Sequence, residues 1–203
     1  MQRTKPVPKP HPPGFLILAA GQGRRFGGNK LSAILEGKPV IQHCLDSLSA
    51  LKHPIAVVYE KNNKELLRCI SEYPIQKIPF DAAHLGMGAS LAYGVKHTQN
   101  WSGWVICLGD MPWISVTTYQ NIANSLHQHA IVRPTPLDAS STQPPGHPVG
   151  FNQQFKLDLL ALTGDEGAKC IISRHKHLLY SMETSDYGIV LDIDRPSDLN
   201  RPP

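Results

Sequence analysis

Long apolar runs are absent from this sequence. No stretch approaches the roughly 20 residues needed to span a bilayer, so a membrane partner is not expected. No apolar leader segment precedes Phe15, and a cytoplasmic location is the expectation. Paired cysteines are missing too. Cys44, Cys69, Cys107 and Cys170 lie far apart with no C-x-x-C among them, which argues against a zinc ribbon or disulfide scaffold and leaves buried thiols in a reducing compartment. Charge of one sign has little excess. Twenty basic against 16 acidic residues leave a net charge of +4, and the cations are dispersed apart from one glycine-rich stretch and the N-terminal tail. That makes nucleic acid a poor candidate partner. No internal repeat is apparent. What is present is an ordinary globular composition, 41% hydrophobic over 203 residues, enough for one α/β domain with a sizeable core.

The chain divides into a Pro-rich basic tail over residues 1–13, too poor in apolar side chains to fold, and a single domain over 14–203. Apolar runs predict strands at Phe15–Ala20, Ile55–Tyr59, Gln76–Phe80, Trp104–Leu108, Ala130–Arg133, His147–Phe151, His177–Met182 and Gly188–Ile193. Helical spacing predicts helices over Pro39–Leu51, Lys64–Tyr73, from Gly86 onward, Ser115–His127, Gln153–Leu162 and Glu166–His175, with Ser115 an N-cap. Residues from Pro196 are read as a short closing helix or a trailing end. The polar, Pro-rich stretch Pro134–Gly146 reads as a loop, of the length that often closes over a site. Strands alternating with helices predict a single-domain, three-layer α/β sandwich with a mainly parallel sheet, whose ligand sits at the carboxyl ends of the strands.

Three such strand ends carry chemistry. After Phe15–Ala20 come Gly21, Gly23, Gly27 and Gly28, with Arg24, Arg25 and Lys30 among them. Glycines let backbone amides approach a ligand, and cations beside them suit a polyphosphate. The spacing is neither G-x-x-x-x-G-K-[ST] nor a G-x-G-x-x-G opening directly into a helix. The bland alternative is a glycine turn with solvated cations. Asp110 closes an apolar strand in Leu108-Gly-Asp-Met-Pro112, a place suited to a Mg²⁺ ligand, or to a carboxylate capping the turn. Asp192 and Asp194, two apart after Gly188–Leu191, can face one cation, or form a surface acidic turn. Gly86-Met-Gly-Ala-Ser-Leu91 offers small residues at a helix start, for close packing or for approach of a nucleoside. His127 and His129 have poor spacing for a metal and read as solvated.

Taken in order, Leu18-Ala-Ala-Gly-x-x-x-Arg25-Phe-Gly27-x-x-Lys30-Leu31, Gly86-Met-x-x-Ser-Leu91, Leu108-Gly-Asp-x-Pro112, Gly146-His-Pro-Val149 with Gly164-Asp-x-Gly-Ala168, and Asp192-x-Asp-x-Pro-x-Asp-Leu199 resemble nucleotidyltransferases of the MobA/MocA type. The resemblance implies a Rossmann-like fold of the nucleotide-diphospho-sugar transferase (GT-A-like) kind. It implies that Leu18, Ala19, Ala20, Gly21, Gly23, Arg25, Lys30, Gly86, Met87 and Ser90 bind a nucleotide, that Arg25, Lys30 and Asp110 are catalytic, and that Asp110 and Asp194 hold Mg²⁺ or Mn²⁺. His147 and Asp165 fall on the acceptor side, and Asp198 reads as a helix N-terminal residue. The Gly-Asp-x-Gly-Ala segment points to the branch that cytidylates the molybdenum cofactor, with CTP and molybdopterin as substrates and a molybdenum hydroxylase or its maturation chaperone as partner. The Ala20 methyl narrows the base pocket, which suits a pyrimidine, although it also fits a packing role. Guanylyl transfer to the same cofactor, cytidylyl transfer to another small phosphate, and a non-catalytic cofactor carrier are the alternatives. Gly23-Arg24 and Asn29 depart from the family pattern and leave the role of Arg24 open.

Overall fold

The computed structural model describes residues 11–21, 23, 25–137 and 145–200. Residues 1–10 of the expected tail lie outside the described residues, but its last three residues are held in place. The His11 amide donates to Asn100 O at 3.2 Å, its carbonyl accepts from the Ser102 amide at 3.0 Å, and the Pro13 carbonyl meets His53 Nδ1 at 2.8 Å.

The described strands and α-helices are β1 (Gly14–Ala19), β2 (Ile34–Leu35), β3 (Lys38–Pro39), α1 (Val40–Ser49), β4 (Ile55–Glu60), α2 (Lys64–Ile70), β5 (Gln76–Phe80), α3 (Met87–His97), β6 (Gly103–Leu108), α4 (Val116–Ser125), β7 (Ile131–Pro136), β8 (Val149–Asn152), α5 (Lys156–Leu160), α6 (Lys169–Arg174) and β9 (Leu179–Thr184). Seven strands form one sheet in the order β5-β4-β1-β6-β8-β7-β9, in which only β8 runs antiparallel to its neighbours.

The alternation of β1 explains the three layers. Phe15, Ile17 and Ala19 point to one side, into a core with Ile41, Leu45 and Leu48 of α1, Leu66 of α2 and Ile122 of α4. Leu16 and Ala20 point to the other side, against Leu91 and Val95 of α3, Leu159 of α5 and Ile171 of α6. A strand buried on both faces has to be apolar throughout, and every residue of Phe15–Ile17 is fully buried. β1 is therefore the centre of the domain, and the chain that leaves its carboxyl end starts on the sheet's axis.

Several expected elements differ. The strand expected over Gly188–Ile193 is a 3₁₀ turn, Tyr187–Val190. Asp186 turns the chain off the sheet there, because its carboxylate accepts from the Gly188 amide at 3.0 Å and from Ser115 N and Thr118 Oγ1 at 2.9 and 2.6 Å. The helix expected from Glu166 begins only at Lys169, since Gly167 holds a left-handed φ of 56°. The helix expected from Gln153 is a 3₁₀ turn, Gln153–Phe155, followed by the short α5. The loop expected over Pro134–Gly146 starts later, because β7 runs on to Pro136 beside β9. Its residues 138–144 lie outside the described residues. The two-residue strands β2 and β3 form a hairpin the sequence did not suggest, turned by left-handed Glu36 and Gly37.

Candidate active site

The glycine stretch folds on itself at the end of β1. Gly23 O accepts from the Phe26 and Gly28 amides at 3.0 and 3.2 Å, and Gly23 takes the left-handed φ of 55° that a glycine adopts without strain. Phe26 is drawn into a small apolar cluster with Leu31, Trp113 and Ile193. Asn29 Nδ2 donates to Glu65 Oε2 at 2.5 Å, tying the loop to α2. Lys30 then opens a 3₁₀ turn that aims its side chain back across the strand ends. Arg24 lies outside the described residues.

Asp110 arrives from the neighbouring parallel strand. The Gly109 amide donates to Leu18 O at 3.2 Å, which sets Gly109-Asp110 beside the end of β1. Lys30 Nζ donates to Asp110 Oδ2 at 2.6 Å, with both side chains mostly buried. The other carboxylate oxygen of Asp110, Oδ1, is buried and has no hydrogen-bond partner among the described residues.

The late acidic segment joins them from a different direction. The Ile193 amide donates to Asp110 O at 2.9 Å. Ile193 is fully buried between Asp192 and Asp194, and the segment is not the expected strand whose alternation would set both carboxylates on one side. Asp198 Oδ2 accepts from the Asp194 and Arg195 amides at 2.9 and 2.7 Å and so shapes the turn. Asp194 Oδ2 accepts from Arg25 Nη1 at 2.9 Å, and its Oδ1 lies 3.7 Å from Lys30 Nζ. The hydrogen bond from Arg25, then the charge of Lys30, lowers the Asp194 pKa, and Asp194 raises that of Arg25. Asp192 is shifted upward, by burial first and then by the charges of Asp110 and Asp194.

An orphaned buried carboxylate oxygen, with two further carboxylates whose fields overlap it, suits a hard divalent cation. No group of three or more His, Cys, Asp or Glu side chains that could hold a metal occurs among the described residues. Mg²⁺ is commonly held by one or two carboxylates and completed by substrate oxygens, and Asp110 and Asp194 are the carboxylates here that could serve it.

A cleft of about 530 Å³ opens over these residues. Its lining brings together Leu18, Ala19, Ala20, Gly21, Gly23, Lys30 and Asp110 with Gly86, Met87 and Ser90 from the start of α3, and with Asp165. Ser90 is buried, and its hydroxyl donates to Met87 O at 2.9 Å. Arg25, Asp194 and His147 are not among the lining residues. Arg25 is largely exposed beside the mouth, in its pair with Asp194.

The two residues grouped on the acceptor side separate. Asp165 packs against the start of α3. The Gly88 amide donates to Gly164 O at 2.7 Å, and a side chain placed on Gly86 would meet Asp165 Oδ1 at 2.3 Å. His147 instead leads into β8, and its amide donates to Ile189 O at 2.9 Å. Its Nδ1 is buried without a partner among the described residues. Burial, and next the charge of Arg133, push the His147 pKa down to about 4, against a smaller opposing pull from Asp110. Arg133 is itself spent on the loop, donating to Gly146 O and Pro145 O at 3.2 and 3.1 Å. Sequence reasoning also missed Glu60, Asn63 and His84, which line the cleft. Glu60 ends the strand next to β1, and the strand-end rule would have found it.

A parallel sheet whose strand ends carry a glycine turn, a lysine and carboxylates around one cleft is the arrangement of nucleotide-binding α/β domains. This chain belongs to the family of the MobA-like NTP transferase domain, which it matches over residues 15–178. Asp194 lies beyond the matched region. The chain is 28% identical over 198 residues to the purine catabolism protein PucB of Bacillus subtilis (strain 168), covering 90% of this chain and 92% of PucB. It is 35% identical over 140 residues to the bifunctional protein GlmU of Geobacillus thermodenitrificans (strain NG80-2), covering 65% of this chain but only 29% of GlmU. It is 30% identical over 100 residues to a molybdenum cofactor guanylyltransferase of Aliivibrio fischeri (strain MJ11), covering 49% of this chain and 50% of the relative. The crystal structure of Rv0371c from Mycobacterium tuberculosis H37Rv superposes with a TM-score of 0.82 at 20% identity, covering 95% of this chain and 97% of that one. Its manganese complex gives 0.78 at 19% identity, with the same coverage. These likenesses show a shared fold. Among the described residues no helix is long and apolar enough to cross a membrane.

Proposed function

We propose that this chain transfers a cytidylyl group from CTP to the terminal phosphate of molybdopterin or its molybdenum-loaded form, giving molybdopterin cytosine dinucleotide and pyrophosphate. The observation that carries this reading is the 2.6 Å pair of Lys30 and Asp110 beside the glycine turn, both lining a cleft large enough for a nucleotide. An oxygen of the acceptor phosphate attacks the α-phosphorus of CTP. The bond from that phosphorus to the bridging oxygen breaks, and pyrophosphate leaves with the electron pair. The acceptor is already anionic, so no strong base is needed and catalysis is positioning and charge neutralisation. Lys30 and Arg25 hold the phosphate oxygens and the leaving pyrophosphate. Asp110 and Asp194 would hold Mg²⁺ or Mn²⁺, which when bound neutralises phosphate charge. His147, held neutral by burial, meets the acceptor as a hydrogen-bonding group rather than a cation.

Ala20, buried in the cleft lining, supports a pyrimidine. The match to the purine catabolism protein PucB runs over most of both chains, and the partial match to a second relative, a molybdenum cofactor guanylyltransferase, supports the molybdenum cofactor as acceptor. That second relative also favours the alternative of guanylyl transfer to the same cofactor. A molybdenum hydroxylase, or its maturation chaperone, would receive the product. A cofactor carrier would have no use for the Lys30–Asp110 pair, so pyrophosphate release separates the enzyme from the carrier.

A further inference from the structure

The cleft is lined from different elements. Gly28, Asn29 and Lys30 come from the turn after β1, with Asp110 paired to Lys30, whereas Glu60 comes from the end of β4 and Asp165 from the segment packed against the start of α3. We propose that Asp165 reads the nucleobase, its carboxylate accepting a hydrogen bond from an exocyclic amino group, so that cytosine is taken and uracil refused. The proposal rests on the cytidylyl-transfer reading and adds the residue that chooses the base.

The first step of the argument concerns orientation. α3 begins at Met87, and a helix start with unpaired amides attracts phosphate. Here a carboxylate already stands over it. The Gly88–Gly164 hydrogen bond of 2.7 Å fastens the segment across the first turn of α3. Gly86, at a φ of 93°, leaves room for Asp165 that any side chain would fill. Its negative charge disfavours phosphate at the start of α3. The triphosphate is left to the glycine turn and Lys30, and the base comes to lie beside Asp165.

The second step is chemical. Cytosine offers an N4 amino donor where uracil offers an O4 acceptor. An ionised carboxylate only accepts, so it pairs with the first and repels the second. Asp165 is exposed and has no hydrogen-bond or ion-pair partner among the described residues, so its carboxylate can exchange water for a ligand without breaking a contact within the protein. Glu60 is the other acidic lining residue, but its longer side chain loses more rotamer freedom when fixed.

The test is equilibrium binding of CTP and of UTP to the full chain, with wild type, Asp165→Asn and Glu60→Gln compared, and pyrophosphate release measured alongside. Wild type should prefer CTP. Asp165→Asn, whose amide both donates and accepts, should shrink that preference by about tenfold or more with an unchanged unfolding temperature, and Glu60→Gln should keep it. An unchanged preference in Asp165→Asn, an equal loss in Glu60→Gln, or no preference in wild type overturns the proposal. Absence of pyrophosphate release, with the binding preference intact, would overturn the transferase reading and leave the assignment of Asp165 standing.

Discussion

Lys30 Nζ lies 2.6 Å from Asp110 Oδ2 and 3.7 Å from Asp194 Oδ1, so one ammonium bridges carboxylates that are far apart in sequence, one just after the central strand β6 and one in the late segment beyond β9. In the proposed reaction the same ammonium serves phosphate and the same carboxylates serve a metal ion. Each set compensates the other until substrate arrives, and the exchange of partners costs little net charge.

Lys30→Ala should therefore lower the turnover of the folded protein by about 10²-fold or more, and it should also lower the unfolding temperature, because it leaves the mostly buried Asp110 carboxylate without its partner. Steady-state kinetics together with thermal unfolding checks this. Full activity in a folded variant contradicts it.

Asp194→Asn should weaken Mn²⁺ binding in the presence of CTP by about tenfold or more. Asp192→Asn should have a smaller effect, since only Asp194 is bonded to both cations of the mouth. Calorimetric titration of Mn²⁺ reads both variants, and equal losses would contradict the ranking.

Much of this arrangement could be read from the sequence because it rests on local rules. A glycine turn after an apolar strand and an aspartate at the end of another converge once the strands are parallel, and Ser115 does cap α4, accepting from the Thr118 amide at 3.2 Å. What escaped depended on partners distant in sequence. Gly188–Leu191 has the composition of a strand, yet Asp186 bonds to Ser115 and Thr118 and turns it away from the sheet. The resemblance of their two segments to the family places Asp165 and His147 together on the acceptor side, whereas in the structure only Asp165 lines the cleft. The Gly88–Gly164 bond that places it on the α3 wall leaves no trace in local pattern.

Gly86→Ala should destabilise the fold by about 1–3 kcal/mol, because it forces a side chain into left-handed backbone and against Asp165 Oδ1 at 2.3 Å. It should also raise the KM for the nucleotide. Urea unfolding measures the first effect, and wild-type stability in this variant would contradict the close approach.

His147 gives the fold a predictable pH dependence. With a folded pKa of about 4 against an ordinary 6.5, the unfolded chain binds a proton between those values that the folded chain refuses. Stability should be full above pH 6.5 and fall by up to about 3 kcal/mol as pH drops towards 4. His147→Asn should remove that part of the slope, which urea midpoints across this range would show. Identical slopes would contradict the burial of His147.

The most direct test of the account is pyrophosphate release with Mg²⁺, molybdopterin with and without molybdate, and CTP or GTP in parallel. Release that depends on CTP and on the acceptor is the predicted result. Release with GTP alone would contradict the cytidylyl assignment while keeping the mechanism, and no release with either nucleotide would contradict the transferase reading itself.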